Sequence, residues 1–130
     1  MPNKIIAFTL LLALLRVGVY GQTAAKRHAI TEEQAIAMVM RLPEVRESNA
    51  YILKHSRDKR KLFAMTYGEP TAREPYWWIA VGEDNGMCFV THFGFYVAVK
   101  SGRIYYVDTL NGRQLDLRTW RKARRTNKLL

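Results

Sequence analysis

The strongest constraint on this chain is a pair of apolar runs placed either side of one tight turn. Tyr76 to Val81 reads Tyr-Trp-Trp-Ile-Ala-Val, an aromatic and β-branched run with large side chains at both alternating sets of positions. Asp84-Asn85-Gly86 follows, and Asn-Gly between two such runs is among the strongest short hairpin signals. Met87 to Val99 then alternates. Met87, Phe89, Phe93, Phe95, Val97 and Val99 share one parity, with Thr91 the only polar member. Thirteen residues exceed an ordinary strand, which predicts a bend or bulge near Gly94. A long hairpin of this kind has to be buried against a second layer.

A helix upstream supplies that layer. Thr31-Glu32-Glu33-Gln34 fits a capping box, with two acids placed where the positive end of the helix dipole favours them. Ala35, Ile36, Val39 and Met40 recur at helical spacing, and Pro43 disfavours helix at Leu42. The pattern predicts one helix over about 32–42. From there to about residue 110 the chain reads as strands. Tyr51-Ile52-Leu53 and Leu62 to Tyr67 flank the charged stretch His55 to Lys61, and two prolines make 68–75 a loop. Ser101-Gly102 turns the chain into Ile104 to Asp108, and Asn111-Gly112 turns it again. Leu115 to Arg125 reads as a terminal helix capped by Asp116, with Leu117 and Trp120 as its apolar contacts. The expected fold is α+β: one N-terminal helix packed on a four- to five-stranded antiparallel meander.

The first residues follow a different logic. Lys4, the apolar run Ile5 to Leu15 and the Val19-Tyr20-Gly21 step have the order of a secretory signal peptide. The run is shorter than the roughly 20 residues of a membrane span, and Arg16 interrupts it. The expectation is export, to the periplasm or outside the cell, with cleavage near Gly21; retention as an N-terminal anchor is the alternative. The remainder divides into a flexible lead-in (22–30), one domain (31–120) and a basic tail (121–130). The whole chain carries +10, from 21 basic and 11 acidic side chains. Arg118, Arg121, Lys122, Arg124, Arg125 and Lys128 hold much of that excess, so the body is close to balanced. A basic end on a balanced body disfavours nucleic acid as the partner, as export does. Cys88 is the single cysteine and has no internal partner, so packing alone must stabilise the domain.

Leu42-Pro43-Glu44-Val45 at the end of the helix, the Tyr76 to Val81 strand, and Tyr105-Tyr106-Val107-Asp108-Thr109-Leu110-Asn111-Gly112 at the end of the series together resemble the PepSY-type domains. The resemblance spans roughly residues 31–117. The length of the Met87–Val99 strand and the Leu115–Arg125 segment depart from it. A cystatin-like or nuclear-transport-factor-like helix on a curved sheet is the structural alternative. The resemblance implies an inhibitory or interaction module of the cell envelope, and it carries over no catalytic residue.

The residues themselves point the same way. Cys88 and His92 share a strand parity but sit about 13 Å apart along an unbulged strand, without a third orienting group. A buried structural thiol is the expectation for Cys88, with His92 facing solvent or a polar cross-strand neighbour. His28, His55 and His92 lie in separate segments, and Glu83-Asp84 reads as solvated turn. Neither a calcium loop nor a phosphate-cradling glycine loop is present in the sequence. No catalytic, metal or cofactor-binding residue is therefore assigned, and no cofactor is expected. The candidate surfaces are two. Tyr76 and Trp78 lie on one face of their strand, Trp77 on the other, and the helix covers only one face. The second is to be covered by the C-terminal segment with Trp120, by a protein partner or by a second copy of the chain. Arg121, Lys122, Arg124 and Arg125 are the candidate contacts to an anionic envelope surface, unless the tail is simply solvated. The leading functional expectation is a non-enzymatic binding or inhibitory module. Its alternative is an enzymatic or small-ligand-binding domain with a pocket between helix and sheet.

Overall fold

The computed structural model describes residues 28–126. The expected signal peptide, most of the lead-in and the end of the basic tail lie outside the described residues. The fold is α+β: a five-stranded antiparallel sheet with three helices.

Helix α1 (Glu32–Met40) starts with the capping box that the sequence predicts. Thr31 Oγ1 accepts from the Gln34 N–H at 3.3 Å, and Gln34 Oε1 accepts from the Thr31 N–H at 3.0 Å. Pro43 does end α1, but it also begins a second helix, α2 (Pro43–Ser56). The expected strand at Tyr51-Ile52-Leu53 is therefore helical, and two helices rather than one precede the sheet. The physical reason is the first-turn position, where the missing proline N–H has no intrahelical partner to lose. Val45, Asn49 and Ile52 then fall on one face. Val45 and Ile52 are buried, and Asn49 Oδ1 accepts from the Leu62 N–H at 2.8 Å, tying α2 to the start of the sheet.

The strands β1 (Phe63–Gly68), β2 (Tyr76–Asp84), β3 (Phe89–Ala98), β4 (Ile104–Asp108) and β5 (Arg113–Asp116) pair in sequence order. Helix α3 (Leu117–Arg125) closes the chain, with the Asp116 side chain accepting from the Thr119 N–H as expected. The core joins Ala35 and Val39 of α1, Val45 and Ile52 of α2, and Trp120 of α3 to Ile79, Val81, Phe95 and Val97 of the sheet. All three helices thus lie on one side.

The bulge in the long hairpin is at His92, not near Gly94. Val81 pairs with Phe93 but Gly82 pairs with Thr91, so His92 is the extra residue. The slip reverses the alternation. Phe93, Phe95 and Val97 face the helices, whereas Phe89, expected with them, lies on the opposite side against Phe63 and Tyr67. Gly82 makes the bulge possible, because a Cβ there would lie 2.0 Å from the Val90 carbonyl oxygen. A similar shift between Thr66 and Gly68 leaves Tyr67 unpaired on β1.

Trp120 does not cover the second face of β2. It stacks on Tyr106 (ring centroids 4.6 Å, 10° apart) and meets Phe93 and Phe95 edge-on, inside the helix-side core. Helix α3 runs through Arg125, so residues 121–125 of the expected tail belong to the folded unit. At the other end, Ile30 is also tied down. Its N–H donates to Val99 O, and its carbonyl accepts from the Trp77 indole at 2.8 Å.

Candidate ligand-binding face of the sheet

With every helix on one side, the other side of the sheet carries its aromatic side chains without cover among the described residues. Even-numbered positions of β2 point there, which places Tyr76 and Trp78 together. Cross-strand pairing brings Tyr96 against Trp78 and Tyr105 against Tyr96. Alternation along β1 from Met65, opposite Ala80, adds Tyr67, and the bulge at His92 adds Phe89. Seven rings result, each in contact with the next. The row runs Tyr105–Tyr76 (6.0 Å), Tyr76–Tyr96 (5.7 Å), Tyr96–Trp78 (5.9 Å), Trp78–Tyr67 (5.7 Å), Tyr67–Phe89 (6.2 Å) and Phe89–Phe63 (5.0 Å). All six contacts are edge-on or tilted, the arrangement that the ring quadrupole favours. Tyr67 is 48% exposed and Met65 beside it 41%.

Over Tyr76, Trp78 and Tyr96 the face deepens into a cleft of about 490 Å³. Two loops wall it. One carries Glu69 and Glu74, and is held by Thr71 N–H to Glu74 O (2.9 Å), Glu74 N–H to Thr71 Oγ1 (3.0 Å) and Tyr76 N–H to Glu74 O (2.8 Å). The other is the β4–β5 turn, organised by the buried Asp108. Its carboxylate accepts from the backbone N–H groups of Leu110 and Asn111, from Asn111 Nδ2 at 2.7 Å and from Arg113 Nη2 at 3.3 Å. The Asn111 side chain does most to hold this carboxyl below the ordinary aspartate range, with burial opposing it and Arg113 assisting. Gly112 closes the turn at φ +62°, a conformation that L side chains rarely adopt. The cleft is thus an aromatic floor between two hydrogen-bonded walls.

A second concavity, of about 470 Å³, lies between α2 and the sheet and is lined by Ser48, Tyr51, Arg60, Glu83 and His92 among others. Glu83 is not a solvated turn residue. It is 7% exposed, with Oε1 3.1 Å from His92 Nε2 and Oε2 3.5 Å from Arg60 Nε. Oε2 has no hydrogen-bond partner, because the Arg60 contact has the distance of an ion pair but not the geometry of a hydrogen bond. The bulge brings His92 to this site. Cys88, expected as a buried thiol, is exposed at the hairpin end. Among the described residues no group of three metal-ligating side chains is assembled.

The candidate anionic-surface residues separate into two kinds. Arg121 grips both carboxylate oxygens of Glu44, the second at 3.2 Å. Burial pushes the Glu44 carboxyl up, but the Arg121 hydrogen bonds and charge prevail and hold it below the ordinary range, while Arg121 is raised. Arg124 lies over the Trp120 ring at 5.1 Å and the Phe93 ring at 5.9 Å. Burial, then the Asp108 charge, push the neighbouring Tyr106 hydroxyl up, with Arg124 opposing. Only Lys122 and Arg125 of the four stand exposed without such engagement.

Tyr76 and Trp78 were readable as a surface from strand alternation. Tyr96, Tyr105, Tyr67 and Phe89 join it only in the structure: a two-residue turn at Asn85-Gly86 would set Phe93 opposite Trp78, and the four-residue loop 85–88 with the bulge at His92 brings Tyr96 there instead. The family models, the curated proteins and the solved structures contain no match to this chain.

Proposed function

We propose that this chain is a non-catalytic binding module of the cell envelope, exported by its N-terminal segment, that takes its partner on the open face of the sheet. The observation that carries the reading is the row of seven rings with no helix laid over it among the described residues, while α1, α2, α3 and Trp120 all crowd the other side. A contiguous apolar patch on a small domain marks a binding surface more often than a solvated one. The cleft over Trp78 and Tyr96 supplies concavity, and the polar groups of its two walls supply orientation. The resemblance to PepSY-type interaction domains points in the same direction.

The test is selection of random peptides displayed on phage against the full chain. Peptides recovered should lose at least tenfold in affinity for Trp78→Ala and for Tyr96→Ala, each checked for an intact fold by circular dichroism. Ligands that bind both variants as they bind the wild type would overturn the reading. A second reading, an enzymatic or small-ligand site between helix and sheet, is favoured by one observation, the buried Glu83 carboxylate facing His92. Ligand capture abolished by His92→Ala and untouched by Trp78→Ala would select it instead.

A further inference from the structure

We infer that the cleft over Tyr76, Trp78 and Tyr96 receives an arginine or lysine side chain of an extended basic peptide belonging to a partner protein. The inference rests on the binding-face reading above and adds the chemistry of the occupant.

Charge is the first argument. Four charged side chains border the cleft: Glu69, Glu74, Asp108 and Arg113. Asp108 and Arg113 satisfy each other at 3.3 Å. Glu69 and Glu74 are exposed and, among the described residues, neither is in an ion pair. A chain with 21 basic and 11 acidic side chains therefore shows two unneutralised carboxylates beside this aromatic cleft. An acidic rim around a low-dielectric floor attracts and orients a cation.

The floor is the second argument. Trp and Tyr rings attract a guanidinium or ammonium placed over their faces within about 6 Å. Two arginines among the described residues already use the interaction. Arg124 lies over Trp120 on the covered side, and Arg103 lies 5.6 Å from the Tyr105 ring, at one end of the open row. A guanidinium is thus already seated at the rim of the same aromatic surface, and the next rings inward carry none.

Extent decides for a peptide over a free amine. The rings continue beyond the cleft from Trp78 to Tyr67 and Phe89, each within 6.2 Å of the next. Alternate side chains of an extended segment lie about 6.6 Å apart. A strand-like peptide can therefore keep one side chain in the cleft and set its neighbours on the outer rings. The walls are fixed by their own hydrogen bonds before anything binds, which lowers the ordering cost of capture.

The experiment is calorimetric titration of the full chain with three probes: a flexible decapeptide bearing two arginines, the same peptide with glutamates in their place, and free arginine amide. The arginine peptide should bind, weaken with salt, and lose at least tenfold in affinity for the Glu69→Gln/Glu74→Gln double variant and for Trp78→Ala. The glutamate peptide should not bind, and arginine amide should bind at least tenfold more weakly than the peptide. Failure of the arginine peptide to bind, or equal binding of both peptides, overturns the inference. So does binding indifferent to the double variant. In each case the open-face reading still stands if phage-selected ligands depend on Trp78. Arginine amide binding as well as the peptide overturns the peptide as occupant. Concentration-dependent dimerisation abolished by the double variant would make a second copy the occupant and overturn the partner protein.

Discussion

The two faces of the sheet are built from the same kinds of residue and differ in what is laid over them. On the helix side, Phe93, Phe95 and Tyr106 meet Trp120, which is only 1% exposed. On the open side, Tyr76, Tyr96 and Trp78 meet one another and nothing above them among the described residues. Aromatic content therefore does not distinguish a core from a binding surface in this chain. The distinction comes from connectivity. Each of the three helices leaves or enters the sheet on the same side, and the short α3 follows β5 directly through the Asp116 cap.

The largest effect expected from this contrast is a pair of tryptophan substitutions. Trp120→Ala empties a fully enclosed site and should cost about 3–5 kcal/mol. Trp78→Ala removes a partly buried ring with edge contacts to Tyr67 and Tyr96 but no layer above it among the described residues, so about 1–2 kcal/mol is expected. Chemical denaturation of the two variants measures both. Similar losses would mean that the open face is structural rather than a binding surface.

The next effect tests how the two faces exchange residues. The bulge at His92 moves Phe89 to the open row and leaves Phe93 in the core, and it depends on Gly82 lacking a side chain. Gly82→Ala should cost about 3 kcal/mol, the upper end for forced overpacking, because the obstructing atom is backbone. Denaturation midpoints together with the Phe63–Phe89 contact observed by nuclear Overhauser effect would report it. An unchanged midpoint would show that the bulge can slip to another residue.

These same positions mark what the sequence made legible. The hairpin at Asn85-Gly86, the Thr31–Gln34 box and the Asp116 cap are local signals, each decided by a few adjacent residues, and each is in place. The shared face of Tyr76 and Trp78 follows from alternation alone. Alternation also reads straight through His92, because a bulge is set by what its partner strand tolerates, here Gly82 across the sheet. Pro43 looks the same locally whether it ends one helix or starts the next; Val45, Asn49 and Ile52 at helical spacing carried the missing signal. Which side Trp120 joins, and that Glu83 is buried under α2, depend on the packing of distant segments. Neither leaves a mark in adjacent sequence.

A smaller effect ties α3 to the covered side. Arg121 clasps Glu44 of α2, and the Glu44 carboxyl is held below its ordinary value of 4.5. A group whose folded pKa is depressed contributes stability that is present above the unfolded value and lost as pH falls through the folded one. The clasp should therefore contribute at neutral pH and fade below about pH 4.5. Arg121 is partly exposed, so solvent screening keeps its contribution under about 1 kcal/mol. Glu44→Gln should lower stability at pH 7 and converge with the wild type near pH 3. Parallel curves across that range would show that the clasp contributes nothing.

The smallest effect concerns Cys88, which the usual burial of a free thiol would place in the core and which instead lies exposed in the hairpin loop just before β3. A buried small side chain cut to alanine loses packing contacts, whereas an exposed one has few to lose. Cys88→Ala should therefore change the unfolding free energy by less than about 0.5 kcal/mol. An exposed thiol should also react stoichiometrically with a thiol reagent in the native state, since access no longer waits on unfolding. Both measurements address the same point. Slow native-state labelling together with a measurable stability loss would instead show that the hairpin end closes over this thiol.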